Sequence, residues 1–389
     1  MSAPSGTDLY AEFRDTAYFP SLNGIRAICA LMVLKIHTDW SVPGAPRILD
    51  CGFLGVDMFF AISGFLIVTL LLREREATGR IDLKQFYVRR TLRIFPIYYL
   101  LVGLLLLLAV ATYGHSTRTW DDYKWSFPVF LLYLQDAVPI FMGVLFHTWS
   151  LSMEEQFYLV WPSVERFLRR AWIVPVLALL IAVNEMFNFR VFDNWIVDVY
   201  GPQGLHRPLF LITFSPILLG VLAAHVMHDP RSGRIAAAAL GNRWMPPLLM
   251  VLATLVVQYA AELRGPGQSV VLRGLPYTAV HVLFCLALVA MVVNPRGIFS
   301  RTLQSRPLAY LGSISYGIYL YHTMIIWLID RVCTPRHIHL SPFALFVLVS
   351  ALSICVAALS FRYFETPIMR SRHRKRAAAV VATEAPAAT

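Results

Sequence analysis

Ten apolar stretches, near residues 21–38, 52–72, 92–113, 146–166, 172–188, 206–228, 245–262, 274–293, 308–330 and 342–364, fill most of this chain of 389 residues. Each falls within the roughly 17–25 residues that carry an α-helix across the hydrocarbon core of a bilayer. Only 15% of the residues are charged and 57% are hydrophobic. A soluble domain is nearer 25% charged and has no such series of apolar runs. The expected fold is all-α, a polytopic integral membrane helical bundle of about ten transmembrane helices. Residues 126–141 are apolar too, but Pro128, Gln135, Asp136 and Pro139 interrupt them. That stretch reads as an extracytoplasmic or partly re-entrant segment, with a separate span as the alternative.

Basic residues set the orientation. With the N-terminus inside, the intervals 73–93, 165–171, 229–243 and 294–306 and both tails hold most of the lysine and arginine. The opposite loops carry scattered cations such as Arg47, Arg118, Lys124 and Arg190. This is the positive-inside pattern, so both termini are expected in the cytoplasm. The formal net charge of +11 then reflects orientation and attraction to the anionic bilayer, not nucleic acid, for which no module is present. Asp8, Glu12, Arg14 and Asp15 stand where a secretory leader has its apolar core, so the first span is expected to stay as a signal anchor. The organisation is a cytoplasmic segment (1–19), a membrane domain (20–366) and a tail (367–389) that is basic and then disordered. Cys29, Cys285 and Cys355 lie in apolar spans as packing residues. Cys51 and Cys333 both fall at outer boundaries, where a disulfide is conceivable. No metal-ligand spacing of the usual kinds occurs, and no metal is expected.

The orientation assigns depths to the polar residues. Arg26 and His37 are eleven residues apart in SLNGIRAICALMVLKIH, about three turns and roughly 16 Å of rise, so they share one helix face. Histidine is the side chain best suited to move a proton near neutral pH. His37 lies near the outer edge of its span; Asp57, Glu154 with Glu155, and His322 reach similar depth on the second, fourth and ninth spans. Uncompensated, each would cost about 2–3 kcal/mol or more, so mutual pairing or a wet cavity is needed. The four segments are expected to bring His37, Asp57, Glu154 and His322 to one site. At the inner end, Arg90 and Arg93 are three apart in YVRRTLRIFPIYY and share a face. Ordinary membrane-surface anchoring explains such residues, but paired guanidinium forks are also what a phosphate-rich donor requires. Arg75 and Arg80 read as generic surface cations.

The ordered segments SLNGIRAICALMVLKIH, GFLGVDMFFAISGFLI, RRTLRIFPIYY, FHTWSLSMEEQFYLVWP and SYGIYLYH resemble the acyltransferase 3 family over roughly residues 20–366. The resemblance implies a multi-pass enzyme of the bacterial inner membrane. It would move an acyl group, usually acetyl, from a coenzyme A thioester to a hydroxyl of a sugar or related acceptor. Arg26 and His37 then match the family's Arg-x10-His pair, and Arg90 with Arg93 its Arg-x-x-Arg motif, associated with the acyl-CoA donor. Phe59, Phe60 and Gly64 match the second-span motif, and Ser315 with Tyr316 or Tyr319 the penultimate-span motif. Trp149 and Ser63 are further site candidates on motif segments. Relatives often carry a fused SGNH hydrolase-like domain; this chain reads as the form without it.

On this reading acyl-CoA docks by its phosphates at the inner cationic mouth and extends its pantetheine arm into the bundle. His37 serves as general base, Glu154 orients or charge-stabilises its imidazole, and Arg26 holds the donor or stabilises the oxyanion. An acyl-enzyme through Ser63 or Ser152 is the less favoured route, since neither sits in a nucleophile signature. The acceptor is a sugar, lipid-linked sugar or glycosylated small molecule, not further specified. The rival class is a proton-coupled secondary transporter using the same buried Arg, His and Glu residues. No inverted repeat relates the two halves, and the arginines gather at one mouth instead of the midplane, which opposes it.

Overall fold

A computed structural model describes residues 6–41, 44–113, 118–137, 144–202, 214–260 and 270–370. Among them the chain forms helices and no strand. α1 (Gly6–Asp15) and α2 (Pro20–His37) meet at a bend of 81°. α3 (Phe53–Thr78) and α4 (Leu83–Tyr113) follow. Gly79, at φ 76°, closes α3 by donating its N–H to the Arg75 carbonyl, a left-handed cap that glycine adopts without strain. α5 (Arg118–Leu131), α6 (Trp149–Phe167), α7 (Arg170–Asn188) and α8 (Asp193–Tyr200) come next. After them run α9 (Ser215–His228), α10 (Pro230–Leu240), α11 (Met245–Tyr259) and α12 (Val270–Val293). Two short helices, α13 (Ile298–Leu303) and α14 (Arg306–Ser313), precede α15 (Ser315–Cys333) and α16 (Pro342–Ser360). Proline stands in the first turn of α2, α9, α10, α11, α14 and α16, where its missing N–H removes no helical bond.

Every predicted span contains a helix, but the boundaries shift. The third begins at Leu83, nine residues early, and the ninth is split: α14 ends at Ser313 and α15 starts at Ser315. Among the described residues, by length and composition, five helices can cross a membrane alone, and up to seven if each bent pair, α1 with α2 and α10 with α11 (78°), is one span. Two of the ten expected spans fall outside this measure for visible reasons: α6 carries Glu154, Glu155, Glu165 and Arg166, and α9 has 14 residues, with 206–213 of its expected span outside the described residues. α5 ends within the interrupted stretch 126–141, whose last residues lie outside the described ones.

Burial separates the centre from the rim. The most apolar 18-residue windows of α3 and α12 are 83% and 67% buried, against 11% in α7 and 17% in the last long helix. A helix apolar on all sides yet exposed in the bundle belongs against lipid, which offers its backbone no partner and asks for none. α3 packs most closely on α9. A Cβ at Gly64 would run into the Ile217 carbonyl, and one at Gly220 into that of Ala61. Small residues at both faces let the backbones meet, the usual device where lipid competes for apolar surface. No disulfide joins Cys51 to Cys333.

Candidate active site

Helices α2, α3, α4, α6, α14 and α15 line a narrow cavity of about 80 Å³ in the bundle. α2 supplies Arg26; α4 supplies Arg90, Arg93 and Ile94; α6 supplies Ser150, Glu154, Glu155 and Tyr158; and α15 supplies Ser315, Tyr316 and Tyr319. α3 adds Phe59 and Phe60. Ser150, Glu154 and Tyr158 recur at intervals of four, so one stripe of α6 faces the cavity. The volume holds a handful of waters at roughly 10–15 Å³ each, enough for a slender chain but not a nucleotide.

Three guanidinium groups line this cavity, those of Arg26 and Arg90 half-buried and that of Arg93 exposed, and such a gathering of charge within a bundle demands compensation. Among the described residues, no ion pair joins Arg26, Arg90 or Arg93 to Glu154 or Glu155. The Glu154 Oε1 instead accepts from Ser63 Oγ at 2.6 Å, and Arg90 lies over the Tyr158 ring at 4.7 Å. Arg26 Nε is buried without a partner. The cavity therefore holds a cluster of uncommitted donors, chemistry suited to an anionic or strongly polar guest.

A second cluster lies at the far end of α2. His322 Nε2 is 2.9 Å from His37 Nδ1, and His322 Nδ1 is 2.5 Å from the Tyr319 carbonyl. A carbonyl only accepts, so His322 Nδ1 carries the hydrogen and, in the neutral ring, Nε2 accepts from His37 Nδ1–H. That leaves His37 Nε2 with the free lone pair. His147 packs beside His322 with ring centroids 4.8 Å apart; its Nδ1 is 3.1 Å from Thr323 Oγ1 and its Nε2 is buried and unpartnered. Phe146 packs edge-on against His37.

Tyr319 and Ser150 separate the two clusters. The Tyr319 hydroxyl donates to the His147 carbonyl at 2.7 Å and stands 2.7 Å from Ser150 Oγ, while both residues also line the arginine cavity. A guest entering at the arginines would meet this pair before the histidines.

The expected shared site thus resolves into separate groups. His37 and His322 meet directly, but Glu154 lies in the arginine cavity, and His322, not Glu154, is the partner of the His37 imidazole. Asp57 pairs with His281 on α12, Oδ2 to Nε2 at 3.3 Å. Trp149 packs edge-on against Phe60. Ser315 Oγ donates to the Gly312 carbonyl, so this hydroxyl is engaged in holding the α14–α15 break. Ser152 donates to Gln135. Arg75 is not a plain surface cation, because its guanidinium donates to the Glu165 carbonyl at 2.9 Å. His147, His281, Ser150 and Tyr158 were not singled out from sequence. The spacing of four from Glu154 marks Ser150 and Tyr158; His147 and His281 carry no comparable local signal. Among the described residues no cluster suits a metal ion.

A family model described as an acyltransferase domain matches residues 19–362. The peptidoglycan O-acetyltransferase OatA of Listeria monocytogenes is 28% identical over 91% of this chain and 56% of its own length. The O-acetyltransferase OatA of Staphylococcus aureus (strain NCTC 8325) is 26% identical over 91% of this chain and 57% of its own. The chain therefore spans less than two thirds of the length of these curated relatives. No solved structure matches it.

Proposed function

The chain belongs to the acyltransferase domain family, and from that membership and the arginine-lined cavity we propose that it is a membrane O-acyltransferase with both termini cytoplasmic. It transfers an acyl group, acetyl by analogy with the named relatives, from acyl-CoA to a hydroxyl of a carbohydrate, glycolipid or glycosylated acceptor. The observation that carries the reading is the gathering of Arg26, Arg90 and Arg93 on one cavity, with no ion pair to any of them among the described residues and Arg26 Nε buried without a partner. Family membership weighs against the transporter alternative.

The nucleotide of the donor stays at the mouth, held by Arg90 and Arg93, because the cavity is too narrow to admit it. The pantetheine arm passes Arg26 toward Tyr319 and Ser150. His37 Nε2 takes the proton of the acceptor hydroxyl as its oxygen attacks the thioester carbonyl. The new C–O bond forms, the C–S bond breaks, and the departing thiolate takes up a proton to leave as free coenzyme A. His322 fixes the reactive His37 tautomer by accepting from Nδ1–H. Arg26 lies about 16 Å of helix rise from His37, so its role is to hold the donor, not to stabilise an oxyanion beside the base. Ser63 is engaged with Glu154 as a hydrogen-bond donor, which favours direct transfer over an acyl-enzyme.

The test is transfer from labelled acetyl-CoA by the purified protein across a panel of hydroxyl acceptors. Transfer to a carbohydrate hydroxyl supports the reading. Proton-coupled uptake into vesicles with no acyl transfer on any acceptor contradicts it.

A further inference from the structure

A larger cavity, about 840 Å³, opens beside the C-terminal part of α3, at Leu72 and Glu76, where α1, α7, α9 and α10 converge, whereas the arginine cavity meets α3 near its start at Val56, Phe59 and Phe60. Its volume is that of a small-molecule site. It is lined by three arginines, Arg14, Arg170 and Arg234, and two carboxylates, Glu76 and Asp229. Arg14 and Glu76 close on each other at 2.6 Å. Asp229 caps α10, accepting from the backbone N–H groups of Arg231 and Ser232 and from Ser232 Oγ. Arg170 and Arg234 are exposed and pair with no carboxylate among the described residues. The rim is thus cationic, with two free guanidinium groups.

The floor is different. His228 is only 6% exposed, lines the cavity, and leaves its Nε2 buried with no partner. Its Nδ1 is 2.8 Å from the Ala224 carbonyl. As for His322, the carbonyl requires Nδ1–H, so Nε2 presents a lone pair that needs a donor. Nearby His225 is already engaged with Glu165 at 2.7 Å. A buried acceptor left without a donor is costly, and a guest that supplies a donor recovers that cost. The surplus of arginine at the rim disfavours an ammonium as that donor and leaves a hydroxyl.

We infer that this second cavity binds a phosphate ester carrying a neighbouring hydroxyl, the phosphate between Arg170 and Arg234 and the hydroxyl donating to His228 Nε2. Two sources share this chemistry: the headgroup of a glycerol-bearing anionic lipid, and the ribose phosphate of a coenzyme A molecule other than the donor held by Arg90 and Arg93. The inference does not depend on the proposed acyl transfer, since it concerns binding alone.

The experiment uses the full chain in nanodiscs. Lipid retention is read by native mass spectrometry with phosphatidylglycerol, phosphatidic acid or phosphatidylcholine, and coenzyme A binding by calorimetry against dephospho-coenzyme A. The double variant Arg170→Gln/Arg234→Gln, at two exposed positions, is expected to keep the fold and weaken one of these ligands at least tenfold. Loss of phosphatidylglycerol assigns the site to a lipid; loss of the preference for coenzyme A over its dephospho form assigns it to the nucleotide. His228→Phe should erase the preference for phosphatidylglycerol over phosphatidic acid, or for the nucleotide, and His228→Gln, which still offers an acceptor oxygen, should keep it. If the double variant binds every ligand as the parent does, the site is not a phosphate site. If His228→Phe folds and keeps the full preference, the hydroxyl contact is wrong.

Discussion

Arg93→Gln tests the donor site with the least disturbance, because glutamine keeps a polar group while removing the charge and the fork. Arg93 lines the cavity with Arg26 and Arg90 and has no carboxylate partner among the described residues. Its loss breaks no direct ion pair and relieves repulsion within the trio, while giving up a longer-range attraction to Glu365, so the empty protein should fold about as well as the parent. A charge-assisted bond to phosphate contributes roughly 1.5–3 kcal/mol, and 1.4 kcal/mol is a factor of ten. The Kd for acyl-CoA is thus expected to rise roughly tenfold to a hundredfold, measured by calorimetry on detergent-solubilised protein. Arg80→Gln is the comparison, an exposed cation outside the cavity, and should change Kd less than twofold. Arg75 cannot serve, since its bond to the Glu165 carbonyl ties it to the fold. Equal, small effects at Arg93 and Arg80 would return the inner arginines to surface anchoring and refute the reasoning.

Other outcomes follow from the same geometry. His322→Phe removes the acceptor for His37 Nδ1–H and should slow transfer about tenfold or more, while His322→Gln, whose carbonyl oxygen can accept, should recover part of it; steady-state kinetics with the true acceptor reads both. Ser63→Ala should leave measurable transfer and no covalent acyl adduct should be seen on the parent by intact-mass spectrometry; complete loss of transfer in Ser63→Ala together with an adduct on the parent would favour an acyl-enzyme. Gly64→Leu should destabilise the bundle by about 1–3 kcal/mol or more through the Ile217 carbonyl, read as a lower Tm in detergent with no comparable effect at Gly103, which has open space. Single-cysteine labelling in a background lacking the native five should find residue 80 closed to an impermeant reagent from outside; labelling there would overturn the orientation.

The helical class and most span positions were legible because hydrocarbon demands runs of fixed length, and such runs survive any rearrangement of the bundle. The pair of Arg26 and His37 was legible for a similar reason, since eleven residues on one helix fix a face without reference to neighbours. What sequence could not supply is rotation about each helix axis relative to the others. Asp57 and Glu154 sit at comparable depth on α3 and α6, yet Asp57 turns toward His281 on α12 while Glu154 turns into the arginine cavity. Depth follows from counting residues; azimuth follows from packing such as the Gly64–Gly220 crossing, which no single segment records. His147 stands at the outer edge of the expected fourth span, where a histidine reads as an interface residue, and the structure sets it in the short turn Phe146–Thr148 before α6, outside the helical period that marks Ser150 and Tyr158. The break at Ile314 was hidden because the apolar residues of α14, Leu308, Ala309 and Leu311, run without interruption into those of α15, and it places Ser315, Tyr316 and Tyr319 at the start of a helix instead of within one.

The most direct test of the central claim is the rate of acyl transfer by His37→Ala, measured alongside acyl-CoA affinity on the same preparation. The account predicts a loss of about 10²–10⁴ in transfer rate, with Kd for acyl-CoA within twofold of the parent and unchanged elution on size exclusion. The reason is position: His37 and its partner His322 lie beyond Tyr319, three turns from the arginines that hold the donor. Transfer at the parental rate on the true acceptor would contradict the assignment of His37 as the base.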